Sequence, residues 1–291
     1  INYGGVNINN NSGSGSINME RTVGGVGAYD YVYWSTPVES FSVGNISPGS
    51  TYIYEWEPTI GANLNGYGDW LPTSEIMQNG KGYIVRNIIG TSTPLTPVFS
   101  GKPNNGIITK AITRGSYTGG NYTTPSGALA TNQDDNWNLV GNPYPSAISA
   151  SSFLTRNATN AVEPRVITGT VYLWRHLSAP SDAIGDPFYG DFGYNYNPND
   201  YITFNSSGSV PPNLFDGDIA AGQAFFVSMR PSTTASSSSV IFNNNMRNET
   251  LDNSQFFRTE ASLEKHRIWL DLISPNNTAN AILVGYIEDA T

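Results

Sequence analysis

Short runs of β-branched and aromatic residues, each ended by glycine, proline, asparagine or serine, limit what this chain can fold into. The clearest runs are residues 31–34, 51–56, 82–86, 170–174 and 224–227. Such runs are typical of strands, whereas a helical period of 3.6 residues is confined to 150–154 and, more weakly, to 259–265. Strands that follow one another without intervening helices predict antiparallel pairing. The sequence therefore predicts an all-β fold of antiparallel β-sandwich-like units.

The same order of strands and turns occurs twice along the chain. One copy covers residues 31–86 and the other covers residues 137–230. The offset between matching positions grows from about 105 to about 142 residues, so the second copy carries insertions, the main one at 178–213. We therefore expect two related sub-units. The predicted anchors of the second core are Trp137, Leu139, Val140 and Tyr144.

Charge and composition exclude several classes of function. The 291 residues include 23 Asp and Glu against 14 Lys and Arg, a net charge of −9, so there is no basic stripe for nucleic acid. The absence of cysteine excludes disulfides and thiolate chemistry. No apolar run approaches the ~18 residues of a membrane helix. Charged residues make up 13%, about half of the ~25% usual for soluble domains. A surface made of amides and hydroxyls instead points to an exported protein.

Side chains that could carry catalysis are few. The two histidines, His176 and His266, stand far apart and lack the spacing of a zinc site. No nucleophile elbow and no phosphate-binding loop occurs in the sequence. Pairs of aspartates in the loops keep a glycosidase-like enzyme open as a minor alternative, because the two acids of a glycosidase are brought together in space. We expect a protein that is not an enzyme.

Calcium is the cofactor for which the sequence offers ligands. Asp216 and Asp218 flank Gly217 and supply hard oxygen atoms of the kind that calcium prefers. An EF-hand is excluded, because position 12 counted from Asp216 is Val227 and not glutamate. The alternative is that these aspartates are ordinary turn residues that bond their own backbone.

Aromatic residues suggest a second kind of site, for sugars. The tryptophans and tyrosines of the strands could stack on sugar rings, but alternation places most of them on one side of a strand, where core packing is the default. The insertion is the better surface candidate, because long loops carry function more often than strands. Its predicted ligand-binding residues are Tyr189, Phe192, Tyr194, Tyr196 and Tyr201.

Four strings of sequence together suggest a bacterial family. They are GKGYIVR at 80–86, WNLVGNPYPSAI at 137–148, FNNNMR at 242–247 and ILVGYI at 282–287. Across residues 28–291 the chain resembles the module near the C-terminus of large surface proteins in Flavobacterium-like Bacteroidetes. That module precedes a sorting domain read by the type IX secretion system. The resemblance implies passage through the outer membrane and display at the cell surface, and it implies no catalytic residues.

We therefore expect four parts in the chain. They are the end of a preceding low-complexity or β region at 1–27, a first β unit at 28–125, a second β unit with a long insertion at 126–258, and the truncated start of a C-terminal sorting-type β domain, including a hairpin, at 259–291. The expected function is that of an exported, non-catalytic structural or adhesive module. A carbohydrate-binding module is the alternative. Expected partners are the type IX machinery during export, surface glycans or copies of the chain itself.

Overall fold

In the computed structural model of the protein, the described residues are 14–24, 26, 29–59, 68–88, 94–115, 122–123, 129–130, 136–159, 165–175, 178, 181–184, 196–211, 214–230, 236–254, 267–273 and 279–285. The chain divides into two compact units, Ile1–Arg258 and Thr259–Thr291. No helix of the described residues has the length and apolarity needed to cross a membrane.

Strands dominate the described part of the chain. In chain order they are β1 Ile17–Glu20, β2 Tyr31–Trp34, β3 Ile53–Glu57, β4 Asp69–Pro72, β5 Tyr83–Arg86, β6 Val98–Gly101, β7 Ile108–Thr113, β8 Tyr122–Thr123, β9 Leu129–Ala130, β10 Trp137–Gly141, β11 Ile148–Ser149, β12 Ile167–Trp174, β13 Tyr201–Asn205, β14 Gly208–Val210, β15 Asp218–Ile219, β16 Ala224–Met229, β17 Ser237–Phe242, β18 Arg267–Ile273 and β19 Ala279–Gly285. The short helix α1 spans Ala150–Leu154, where the sequence predicted it, and the Ser149 side chain caps it by accepting from Ser152 N.

Two antiparallel sheets form the centre of the first unit. The first sheet has the strand order β2-β5-β3-β4 and the second has the order β10-β16-β12-β13-β14. Two-stranded pairs surround them, namely β1 with β6, β7 with β17, and β11 with β15. The predicted antiparallel, sandwich-like all-β fold is confirmed. In the second unit, β18 and β19 pair antiparallel from Arg267 opposite Gly285 to Ile273 opposite Ala279, which confirms the predicted hairpin.

The four strands of the first sheet and the first four of the second follow one strand order, to which the second sheet adds β14. In each, the first strand pairs with the last, the last with the second, and the second with the third. The registers agree as well, because Trp56 lies opposite Trp70 in the first sheet and Trp174 lies opposite Tyr201 in the second. A common order and register is what a pair of related units requires. The boundaries predicted at residues 28, 126 and 259 stay predictions.

Hydrogen bonds between the sheets follow an approximate two-fold relation. Trp56 Nε1 donates to the carbonyl of Trp137 at 2.8 Å, and Trp174 Nε1 donates to the carbonyl of Tyr31 at 3.1 Å. Each sheet therefore gives an indole N–H to the first strand of the other sheet. Since each bond satisfies a donor that burial would otherwise leave unpaired, the two sheets stabilise each other.

A second pair of bonds obeys the same relation at the end of the first strands. Ser35 N donates to Gly222 O at 2.7 Å, and Gly141 N donates to Gly80 O at 3.1 Å. The approach is close, since a Cβ added to Gly141 would lie 2.4 Å from Ser35 Cβ. Glycine at 141 is therefore required for the two sheets to meet.

Strands of both sheets are buried on two faces. One face of each sheet contributes to an aromatic layer that lies between the sheets. Its buried members are Tyr33, Trp56, Ile84, Leu139, Trp174, Ala224 and Phe226, and its partly buried members are Tyr31, Tyr54, Trp70, Trp137, Tyr172, Tyr196 and Tyr201. The opposite faces pack into two separate outer cores, one for each sheet. Alternation along each strand assigns side chains to one core or the other.

The predicted anchors of the second core divide between these cores. Val140 and Tyr144 lie in the outer core of the second sheet, whereas Leu139 lies in the aromatic layer. Trp137 is only half-buried and packs at the rim of the aromatic layer. The expectation of one common core for these four residues was wrong, because consecutive strand residues point to opposite faces and both faces are covered.

Candidate functional site

The structure describes two of the five aromatic residues predicted to bind a ligand. Tyr189, Phe192 and Tyr194 lie outside the described residues. Tyr196 and Tyr201 are half-buried members of the aromatic layer. The Tyr196 hydroxyl donates to Tyr29 O at 2.6 Å, and the hydroxyls of Tyr201 and Tyr33 share a hydrogen bond of 2.6 Å. The contact of these tyrosines with a ligand stays a prediction, and the structure places both in the packing between the sheets.

Rings in the aromatic layer meet mostly edge to face. Trp56 and Trp70 have centroids 5.0 Å apart and planes at 70°, and Trp56 meets Phe226 at 5.4 Å and 89°. Tyr33 and Trp174 stack with planes at 18°. Edge-to-face contacts pack rings against each other and leave no flat platform for a sugar face. The layer is therefore a core built from aromatic side chains.

Of the predicted calcium ligands, Asp216 forms a hydrogen bond of the turn type and Asp218 forms one with a distant segment. The exposed Asp216 carboxylate accepts from Asp218 N at 3.0 Å, and Asp218 Oδ2 accepts from Asp252 N at 2.7 Å. Burial raises the pKa of Asp218, as do the charges of Asp216 and Asp252, although the bond from Asp252 N opposes them. Within the described ranges, no three histidine or acidic side chains gather as a metal site would require. Calcium binding stays a prediction.

A lysine between two carboxylates was not anticipated from the sequence. Lys81 Nζ lies 2.5 Å from Glu55 Oε2 and 2.6 Å from Glu75 Oε1. The hydroxyl of Tyr83 also donates to Glu75 Oε1, at 2.5 Å. The Lys81 side chain is only 14% exposed, so these pairs are screened less than surface pairs. The lowered pKa of Glu75 is the opposite of the raised pKa that a glycosidase gives its proton donor.

In the part of the chain that the structure describes, the second sheet has no charged counterpart of this cluster. The strand pairing shows which positions correspond. Tyr54 lies opposite Ile84 in the first sheet, and Tyr172 lies opposite Phe226 in the second, so Tyr54 and Tyr172 are equivalent. The next residue along the strand is Glu55 in the first sheet and Leu173 in the second. Leu173 therefore occupies the place of Glu55, and among the described residues the second sheet has no equivalent of the Lys81 ion pairs.

Glu75→Gln is expected to remove a pH-dependent part of stability. Burial raises the pKa of Glu75, but hydrogen bonds from Lys81 and Tyr83 and the charge of Lys81 outweigh it and hold the pKa at about 2, below its ordinary value of 4.5. A carboxylate with a depressed pKa contributes stability above the unfolded value, and the contribution is lost as the pH falls through the folded value. The gap in melting temperature between wild type and Glu75→Gln should therefore be full above pH 4.5 and close towards about pH 2.

Thermal unfolding followed by circular dichroism across this pH range measures the gap. Glu39→Gln is the matched control, because Glu39 also pairs with a lysine but is 46% exposed. The control should show little change of melting temperature at any pH, since exposed ion pairs contribute little. A constant gap for Glu75→Gln down to the acid end would contradict the assignment.

Arg86, at the end of β5, is the second feature that the sequence did not reveal. The residue is 7% exposed, and its guanidinium carbon lies 3.3 Å from the ring centroid of Tyr52, 5.3 Å from that of Tyr29 and 5.9 Å from that of Tyr31. We call Arg86 with these three tyrosines the arginine cage. Its Nε is buried and finds no acceptor among the described residues. Arg86 lies opposite Tyr31 in the first sheet, and Ser228 lies opposite Trp137 in the second. Ser228 is therefore the counterpart of Arg86.

Comparison with known proteins assigns the chain to a family. No curated protein and no solved structure matches it significantly. One family model matches residues 4–291, which include both sheets and the C-terminal hairpin. Because the match extends over nearly the whole chain, the protein belongs to the family described as Domain of unknown function (DUF8693).

Proposed function

We propose that this chain is a non-catalytic structural or adhesive module of an exported cell-surface protein. The observation that carries the proposal is that side chains suited to chemistry are used in packing. Aromatic rings fill the space between the two sheets. Glu55 and Glu75 are both paired with Lys81. A carbohydrate-binding module remains the alternative, and the observation that favours it is the arginine cage.

The resemblance to type IX secretion cargo supplies the export route. Low charge and an amide-rich surface suit a protein that works outside the cell, and two sheets tied together by reciprocal hydrogen bonds suit a module that bears load. Hydrogen bonds that join two sheets must break together when the sheets are pulled apart. A stalk or adhesin gains resistance to force from such an arrangement.

Protease treatment of intact producing cells tests the proposal. We expect antibody against the chain to label intact cells, and the label to disappear after external protease. Loss of a type IX secretion component should retain the chain inside the cell. Labelling that requires lysis of the cells would contradict surface display, and unchanged display without the type IX machinery would contradict the export route.

A further inference from the structure

The arginine cage holds a cation without a matching anion. No ion pair joins the Arg86 guanidinium to a carboxylate of the described residues, although acidic residues outnumber basic ones in this chain by 23 to 14. A buried charge is costly unless it is paired. The three tyrosine rings reduce this cost through cation–π contacts, with Tyr52 the closest at 3.3 Å. They supply no negative charge.

Tyr31 stays neutral at physiological pH. Burial raises the pKa of Tyr31, as does the neighbouring Tyr54, and this outweighs the opposite effect of Arg86. A Tyr31 tyrosinate therefore does not neutralise the guanidinium group. The positive charge of Arg86 remains available to a ligand.

One member of the cage is exposed. Tyr29 is 48% exposed, while its ring centroid lies 5.3 Å from the Arg86 guanidinium carbon. Among the described residues, the buried polar nitrogens without a partner include Nε of Arg86 and neither of its two terminal nitrogens. A ligand group that reaches them must be small and anionic. The paired N–H groups of an arginine match the two oxygens of a carboxylate.

The exposed ring decides which kind of carboxylate fits. Tyr29 offers an aromatic face beside the cation, and sugar rings stack on such faces through their C–H groups. The hydroxyl of Tyr196 donates to Tyr29 O at 2.6 Å and so holds this strand end in place. We propose that the arginine cage, formed by Arg86, Tyr29, Tyr31 and Tyr52, binds the carboxylate of a uronic acid residue in an acidic polysaccharide. The proposal rests on the alternative function, a carbohydrate-binding module, and names its ligand, but it does not depend on where the protein is located.

The second sheet supplies the matched variant. Arg86→Ser places in the cage the residue that the second sheet carries at the same position, Ser228. Arg86→Lys keeps the charge but loses the planar pair of donors. Lys102→Ser removes one positive charge elsewhere, from a side chain that is 37% exposed and paired with Glu39 at 3.1 Å. Tyr29→Ala removes the exposed stacking ring and leaves the buried part of the cage intact.

Calorimetric titration of the purified chain with oligogalacturonate, oligoglucuronate and a neutral galactose oligomer tests the proposal. We expect binding of at least one acidic oligomer and none of the neutral one. Arg86→Ser and Tyr29→Ala should each weaken binding about tenfold or more, Arg86→Lys should weaken it less than Arg86→Ser, and Lys102→Ser should bind like wild type. Affinity should fall as salt is added, since charge attraction is screened.

Three results would overturn the proposal. They are no binding of either acidic oligomer by wild type, equal binding of the neutral oligomer, or unchanged binding by Arg86→Ser and Tyr29→Ala. Circular dichroism checks that each variant is folded. If Arg86→Ser does not fold, Tyr29→Ala decides the matter, because an exposed ring is not needed for folding. Surface display is measured independently, so failure of sugar binding leaves the proposed location unaffected.

Discussion

Phe226→Ala is expected to lower the free energy of unfolding by about 3–5 kcal/mol, which is the usual cost of truncating a buried phenylalanine. Phe226 is 7% exposed and belongs to the second sheet. Its ring lies 5.4 Å from Trp56, 5.8 Å from Tyr33 and 5.9 Å from Trp70, all from the first sheet. The substitution therefore leaves a cavity where the two sheets meet. A loss of this size is a large part of the ~5–15 kcal/mol that stabilises a typical domain.

Urea unfolding followed by tryptophan fluorescence measures this loss. Phe226→Leu should lose less, because leucine fills part of the space. Val98→Ala is the control for a strand residue outside the layer, since Val98 is 45% exposed, and it should change stability by no more than about 0.5 kcal/mol. A loss below about 1 kcal/mol for Phe226→Ala would mean that the aromatic layer does not hold the two sheets together.

Strand positions could be predicted from the sequence, because they depend on local composition. The run at 31–34 is β2, and the run at 82–86 contains β5. The repeated order also follows from local strings. The face that each side chain occupies was harder to predict, because Tyr31 and Val32 are both apolar and both faces of the strand are buried. Alternation identifies the two faces but does not say which core each one joins.

Contacts between the two repeats could not be predicted from either repeat alone. The sequence suggests two units that each have their own core, whereas Trp56 bonds to Trp137 across the sheets. The arginine cage also depends on residues that are distant in sequence, since the pairing of β3 with β5 brings Tyr52 and Arg86 together. Nothing in the local pattern around Arg86 distinguishes it from an arginine at a solvated strand end. The turn at Asn142 is different, because the Gly-Asn-Pro-Tyr-Pro string indicates it directly.

Asn142→Ala is expected to lower the free energy of unfolding by at least about 3 kcal/mol. It leaves several buried backbone groups without a hydrogen-bond partner, at a cost of ~1–3 kcal/mol each. Asn142 is fully buried. Its Nδ2 lies 2.8 Å from Ser146 O, 3.0 Å from Ile219 O and 3.0 Å from Ala220 O. Its Oδ1 accepts from Tyr144 N at 3.0 Å. One amide thus joins the turn after β10 to the segment that precedes β16.

The first sheet shows which of these bonds the turn itself needs. Thr36 follows Ser35, the counterpart of Gly141, and so it stands where Asn142 stands in the second sheet. Thr36 Oγ1 accepts from Val38 N at 3.3 Å, which reproduces the bond from Tyr144 N to the Asn142 side chain. Threonine has no amide nitrogen that could reach carbonyls such as those of Ile219 and Ala220. Asn142→Thr should therefore lie between wild type and Asn142→Ala in stability.

Urea unfolding of the three proteins measures that order. Equal stability of the two variants would show that the turn bond contributes nothing, and an unchanged Asn142→Ala would show that the amide does not join the two segments.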